Sequence, residues 1–280
     1  RLYSDTYRTT ILTINAGGTV RAGRINYSVS GHLGQLTHNC PNSVINGGTL
    51  DLVSATDTAG RGGTIGAAGA VIRTAAGSVH TWSPSNEAWT QIDLNNGGAV
   101  LTFDIGGDFV LRSTLMDYTG SPGGAGGVSV SNGSVVKTGP GTLTFGTQTL
   151  AAAAGSHQYT GTTTVQQGKL VLDTNLGTSP VSVSAGATLS IGTALATVGT
   201  GPLTLAATSV LRIEGNSTLQ NSDLLNVAGA VALNGATLEF ADLGNSALTA
   251  GTRFPILTYT GALTGEFAGL PEGGTFTVGS

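Results

Sequence analysis

Two carboxylates, Asp104 and Asp108, stand four residues apart in FDIGGDF and come closest in this sequence to a paired acid–base site. On one continuous strand that spacing sets both on the same face about 13 Å apart. The separation is too wide for the paired acid–base work that such enzymes do, although a turn at Gly106-Gly107 would shorten it. No lysine lies nearby, and Arg112 is the close cation. The plain alternative is two solvated turn carboxylates. Asp104 and Asp108 are also the weak candidates for a metal ion. Calcium, however, needs several oxygen ligands close in sequence, and GGDFVL from Gly106 lacks the glycine spacing of calcium-binding nonapeptide repeats.

His32, His38 and Cys40 give three potential zinc ligands at spacings of six and two, with no fourth partner. Hydrogen-bonded loop histidines are the simpler reading. Cys40 is the single cysteine, so no disulfide can form within the chain. No Gly-x-Ser-x-Gly elbow is followed by a fitting Asp and His. We therefore expect no catalytic residues, no bound metal and no cofactor. Trp82 and Trp89 flank SPSNEA and form the weak ligand-binding candidate. An exposed aromatic pair grips a sugar or another subunit; the alternative is that the loop folds back and the indoles cover the body of the protein.

The elements that must carry these residues are legible from composition and repetition. The chain has 280 residues, a net charge of −4, 9% charged residues and 45 glycines. Lysine occurs at Lys137 and Lys169 alone, and the arginines are scattered, so no basic patch points to nucleic acid. No apolar run approaches the ~20 residues of a membrane helix. The opening RLYSDTYRTT lacks the features of a signal peptide, which predicts a mature or trimmed segment.

One phrase recurs ten times: a glycine turn, a small residue, then alternating apolar residues. Examples are INAGGTV from Ile14, INGGTLDLV from Ile45, GPGTLTF from Gly139, QQGKLVL from Gln166 and LNGATLEF from Leu233. TLTF, KLVL, TLSI and TLEF carry the period-2 alternation of half-buried strands. One such unit cannot bury its apolar face alone, whereas a stack of them can, which predicts a β-solenoid. At 20–25 residues per coil, about a dozen coils are expected. Leu143, Leu170, Leu189, Leu203 and Leu238 should point inward, and Asn15, Asn46 and Asn132 are placed to form a corner ladder. Helical periodicity is missing; the run Ala151 to Ala154 ends at Gly155. We read residues 1–280 as a single solenoid: 1–127 as divergent coils with excursions at Gly31 to Ser43 and Ser78 to Gln91, 128–250 as regular repeats, and 251–280 as a closing segment.

From Lys137 the pattern becomes specific. KTGPGTLTFG, HQYTGTTTVQQGKLVLD and NLGTSPVSVSAGATLSIG, spanning Lys137 to Ile191, resemble the autotransporter-associated β-strand repeat. The segment from Gly251 is similar to the one that ends the repeat region in large surface proteins of this kind. The resemblance implies a right-handed parallel β-helix exported to the outside of a bacterial cell, with the repeat acting as scaffold and not as catalyst. The expected role is a structural subunit of a surface layer or head-to-tail filament. A glycan- or host-binding adhesin is the first alternative, and a polysaccharide lyase or hydrolase the second. TTILTINAGGTV and GTFTVGS are strand-like near the two ends, which favours self-association end to end through terminal strands; the alternative is a fragment of a longer chain whose neighbouring coils cap these ends.

Overall fold

The computed structural model describes residues 13–15, 17–22, 44–46, 48–52, 56–59, 63–65, 68–83, 91–94, 98–112, 114–116, 132–147, 157–248, 251–271 and 273–274. Among them there are strands and turns and no helix. The architecture is a parallel β-helix with three faces. The first face is a ten-stranded sheet running from Thr19–Ala22 to Leu263–Thr264. The second is a nine-stranded sheet that begins at Thr56–Ala59 and reaches Thr237–Asp242. The third comprises a five-stranded sheet from Thr13–Asn15 to Thr114–Met116 and a three-stranded one of Thr197–Thr200, Leu224–Val227 and Leu257–Tyr259. Pairing is parallel along all three faces; the exception among the named strands is the small hairpin of Val210–Asn216 with Asn221–Ser222.

Strict register turns the period-2 pattern into rows along the axis. On the first face Leu101, Val135, Thr163, Val181, Leu203 and Val231 form one row. All six are buried. On the second face Phe109, Leu143, Leu170, Leu189 and Leu211 form another, also buried. The rings of Phe103, Phe109 and Phe145 meet at centroid distances of 5.8 and 6.3 Å where the two faces converge. Leu143, Leu170, Leu189 and Leu203 are therefore inside, as their alternation predicts. Leu238 stands beside Leu211 but is only partly buried, because it belongs to the last coils.

Among the described residues the first face has ten strands, which mark ten coils. The repeat length is uneven: 18 residues separate Thr163 from its partner Val181, and 34 separate Leu101 from Val135. Each added loop leaves a face without breaking the ladder. The first- and second-face ladders join Val100–Ile105 to Ser134–Thr138 and Asp108–Leu111 to Thr142–Phe145, on either side of residues 117–131. Asn15 and Asn46 are register partners on the third face, whereas Asn132 lies at the entry to the first, beside Thr160. The three asparagines therefore do not form one ladder. Ala151 to Ala154 lie outside the described residues.

The corner between the first and second faces dictates glycine by contact. A Cβ on Gly141 would lie 1.9 Å from the carbonyl oxygen of Gly107 on the coil below. Gly141→Ala is therefore expected to destabilise the fold by roughly 1–3 kcal/mol, as overpacking does. Thr204→Ala, at an exposed outward position of the first face, should stay within about 0.5 kcal/mol. Chemical denaturation of both variants checks the contrast.

Candidate functional site

The structure separates the two carboxylates that the sequence sets close together. Gly106 and Gly107 form the corner between the first and second faces, so Asp104 and Asp108 belong to different strands, Val100–Ile105 and Asp108–Leu111. The single-strand geometry that sets them about 13 Å apart on one face is thereby overturned. Asp104 lies on the outer side of the first face and accepts a hydrogen bond from Arg73 Nε at 2.8 Å, while Asp108 is exposed. Register explains the pair: Arg21, Asp51, Arg73, Asp104 and Thr138 occupy successive rungs of one row. The Arg73–Asp104 ion pair across one rung favours this register over its slips.

Other carboxylates are likewise committed to structural partners. Asp173 accepts from the backbone and hydroxyl of Thr193 at 2.6 and 3.0 Å. Arg212 bridges Glu214 and Glu239 at 2.8 and 2.9 Å. Asp223 is buried and accepts from the backbone N–H of Ala196 at 2.8 Å and of Glu214 at 2.7 Å. Burial pushes the Asp223 carboxyl up to about 6, against the pull of those two N–H groups. Among the described residues, no group of three or more His, Cys, Asp or Glu gathers as a metal site would require.

His32, His38, Cys40 and Trp89 lie outside the described residues. The backbone of Trp82 belongs to Val79–Ser83, a strand of the second face and not an excursion. It stands in the row of Leu111, Phe145, Leu172 and Ile191, all four of which are buried.

The polar chemistry that the structure does assemble lies inside the solenoid, on residues of the Lys137–Ile191 repeat. Lys137 occupies the inner row of Ile72, Phe103, Val165 and Val183, and it is fully buried. Its Nζ donates to the carbonyls of Thr138 at 2.7 Å, Gly139 at 2.8 Å and Gln167 at 3.1 Å. The first two are in its own corner and the third is in the corner of the next coil, so one ammonium clips two coils together. Burial pulls the Lys137 amine down to about 8, and the charge of Asp104 opposes that shift. Gly168 completes the cage, since a Cβ there would stand 2.9 Å from Nζ and 2.5 Å from two corner carbonyls.

The polar Thr163 in the first-face inner row is satisfied by a chain of hydroxyls. Tyr159 hydrogen-bonds Thr163, which meets Ser179 at 2.9 Å, and Ser179 donates to the carbonyl of Gly161 at 2.7 Å. Beside them the buried ring of His157 lies 4.6 Å from that of Phe145, and its Nδ1 accepts from the backbone N–H of Leu115 at 3.0 Å. These groups hold coils in place. Lysine burial was hidden in the sequence because SVVKT alternates without a clear apolar side. Its one signal was Val135 two residues earlier, which shares its face.

The cage gives a direct chemical test. Amine acylation of the folded chain should modify Lys169, which is partly accessible, and spare Lys137 until the chain is unfolded; mass spectrometry of the peptides reads both. Equal modification of the two lysines under native conditions would contradict the cage. Lys137→Met, which fills the space without donors, should cost roughly 1–3 kcal/mol by stripping the buried carbonyls of their partner.

Comparison with family models, with curated proteins and with solved structures gives no match.

Proposed function

We propose that this chain is a non-catalytic structural solenoid that acts outside the cell and assembles end to end, each copy extending the ladder of the next. One observation carries this reading. Leu263 continues the inner row of the first face as the partner of buried Val231, yet it is 43% exposed. Tyr259 on the third face is 44% exposed, and Leu238 and Phe240 on the second are only partly buried. Among the described residues, no strand pairs with the outer edge of Leu263–Thr264, Leu257–Tyr259 or Thr237–Asp242.

An open parallel edge with exposed inner-row residues is a template for strand addition. The element that fits it offers three parallel strands at the same pitch, which is what a coil of a second copy provides. A head-to-tail contact that does not close into a ring propagates as a filament. The low charge of the chain, 9%, limits repulsion between stacked copies. The resemblance of Lys137 to Ile191 to the autotransporter repeat supports display on a bacterial surface, and the tethering of its carboxylates supports a scaffold role.

Electron microscopy of the purified chain at high concentration tests assembly. Fibres with an axial repeat of about 48 Å or more are expected, since the ten described coils rise ~4.8 Å each, and Leu263→Glu should abolish them while leaving the circular dichroism unchanged. A uniformly monomeric wild-type population would overturn the assembly reading. Turnover of an acidic glycan that disappears in Asp104→Ala and Asp108→Ala would overturn the scaffold reading.

A further inference from the structure

We propose that His157 is an acid-sensitive splice in the third face, whose protonation opens the third-face rung between the coil of Leu115 and the coil of His157. Among the described residues the third face is continuous as a sheet up to Thr114–Met116 and again from Thr197–Thr200. Between them single residues carry the ladder. The backbone N–H of Gln158 donates to the carbonyl of Leu115 at 2.8 Å, and that of His157 donates to the carbonyl of Asn175 at 2.8 Å. The N–H of Leu176 donates to the carbonyl of Gly199 at 2.8 Å. Two rungs lack a backbone acceptor, and side chains supply it: Asn175 Oδ1 accepts from Gly199 at 2.6 Å, and His157 Nδ1 accepts from Leu115 at 3.0 Å.

The histidine differs from the asparagine because a proton can remove its acceptor. With Nδ1 accepting, the neutral ring must carry its hydrogen on Nε2. That atom is buried without a hydrogen-bond partner. The ring lies against Phe145, 4.6 Å away, and Tyr159, 6.2 Å away, whose hydroxyl is engaged with Thr163. Tyr159 is the titratable side chain in ring contact, and among the described residues no charged group acts on the imidazole. A second proton would therefore place Nδ1–H against the N–H of Leu115 and leave an imidazolium without a counter-charge. Burial holds the His157 imidazole down to about 3, consistent with this geometry.

The direction of the pH dependence follows from linkage. The opened ring takes its proton near 6.5 and the closed ring only near 3, so acid favours opening. Between those values each unit of falling pH raises the open population about tenfold. Asp223 acts in the opposite sense: its folded carboxyl takes a proton before the unfolded one does, between about 6 and 3.8, and so gains stability as the pH falls there. The first and second faces bridge the same seam through Val100–Ile105 with Ser134–Thr138 and Asp108–Leu111 with Thr142–Phe145. Opening is thus local to the third face, and the proposal stands apart from the assembly reading.

Nuclear magnetic resonance of the intact chain decides it. The His157 imidazole should keep an unprotonated Nδ1 from pH 7 to pH 4.5. Over the same range the protection factor of the Leu115 amide, corrected for intrinsic exchange, should fall about tenfold per pH unit below 6.5 while that of Val110 holds. His157→Gln keeps an acceptor that does not titrate at these pH values and should flatten the Leu115 dependence; it retains Asp223, so the difference isolates the histidine. An imidazole that titrates near 6.5 with Leu115 still protected would overturn the splice, as would pH-independent protection of Leu115 in the wild type. Both outcomes are read on the wild type and do not depend on the variant folding.

Discussion

The structure depends on one constraint: every coil must hand its backbone N–H and C=O groups to the next at a spacing of about 4.8 Å. Along the first face this ladder runs through ten strands, and register is kept at each step. Inner rows then stack residue on residue, so the core is a set of columns and not a cluster around one centre. A slip of one residue would turn each inner row outward. Loops are free to vary in length because they leave the faces at corners, which is how coils of 18 and 34 residues share one sheet.

The ladder has weak points where a face narrows or turns, and the polar residues of the interior gather there. Lys137 donates to three carbonyls at a corner that the backbone leaves unanswered. Asn175, His157 and Asp223 accept from backbone N–H groups, and Thr163, Tyr159 and Ser179 satisfy one another around the inner row. A buried polar group that is fully paired specifies one arrangement of its neighbours, since any other arrangement leaves it unpaired. Apart from Asp223, these residues lie between Lys137 and Ile191. Their chemistry is that of donors and acceptors completing a backbone, and their protonation follows from burial.

The same constraint frames function. A solenoid whose coils each template the next has no inherent length, and its last described coil presents Leu263 and Tyr259 where further strands would sit. Carboxylates that would otherwise invite catalytic roles are drawn into register and capping: Asp104 to Arg73 across a rung, Asp173 to Thr193, and Asp223 to two N–H groups.

The strands, their parallel stacking and the identity of most inward residues were determined by the sequence alone. Period-2 alternation and recurring glycine turns leave a stack of coils as the arrangement that buries Leu143, Leu170 and Leu189 together. The tertiary structure decided what each polar residue does. Asp104 and Asp108 are close along the chain, but the Gly106-Gly107 corner sends them to different sheets, because a glycine corner changes strand direction where a strand would have kept them on one face. Lys137 reads as a surface residue until register places it in the row of Phe103 and Val165. His157 and Leu115 are 42 residues apart and meet only when the coils stack. Local periodicity encodes which face a residue takes, but a partner on the next coil is fixed by loop length and corner geometry, and those are set when the whole ladder closes.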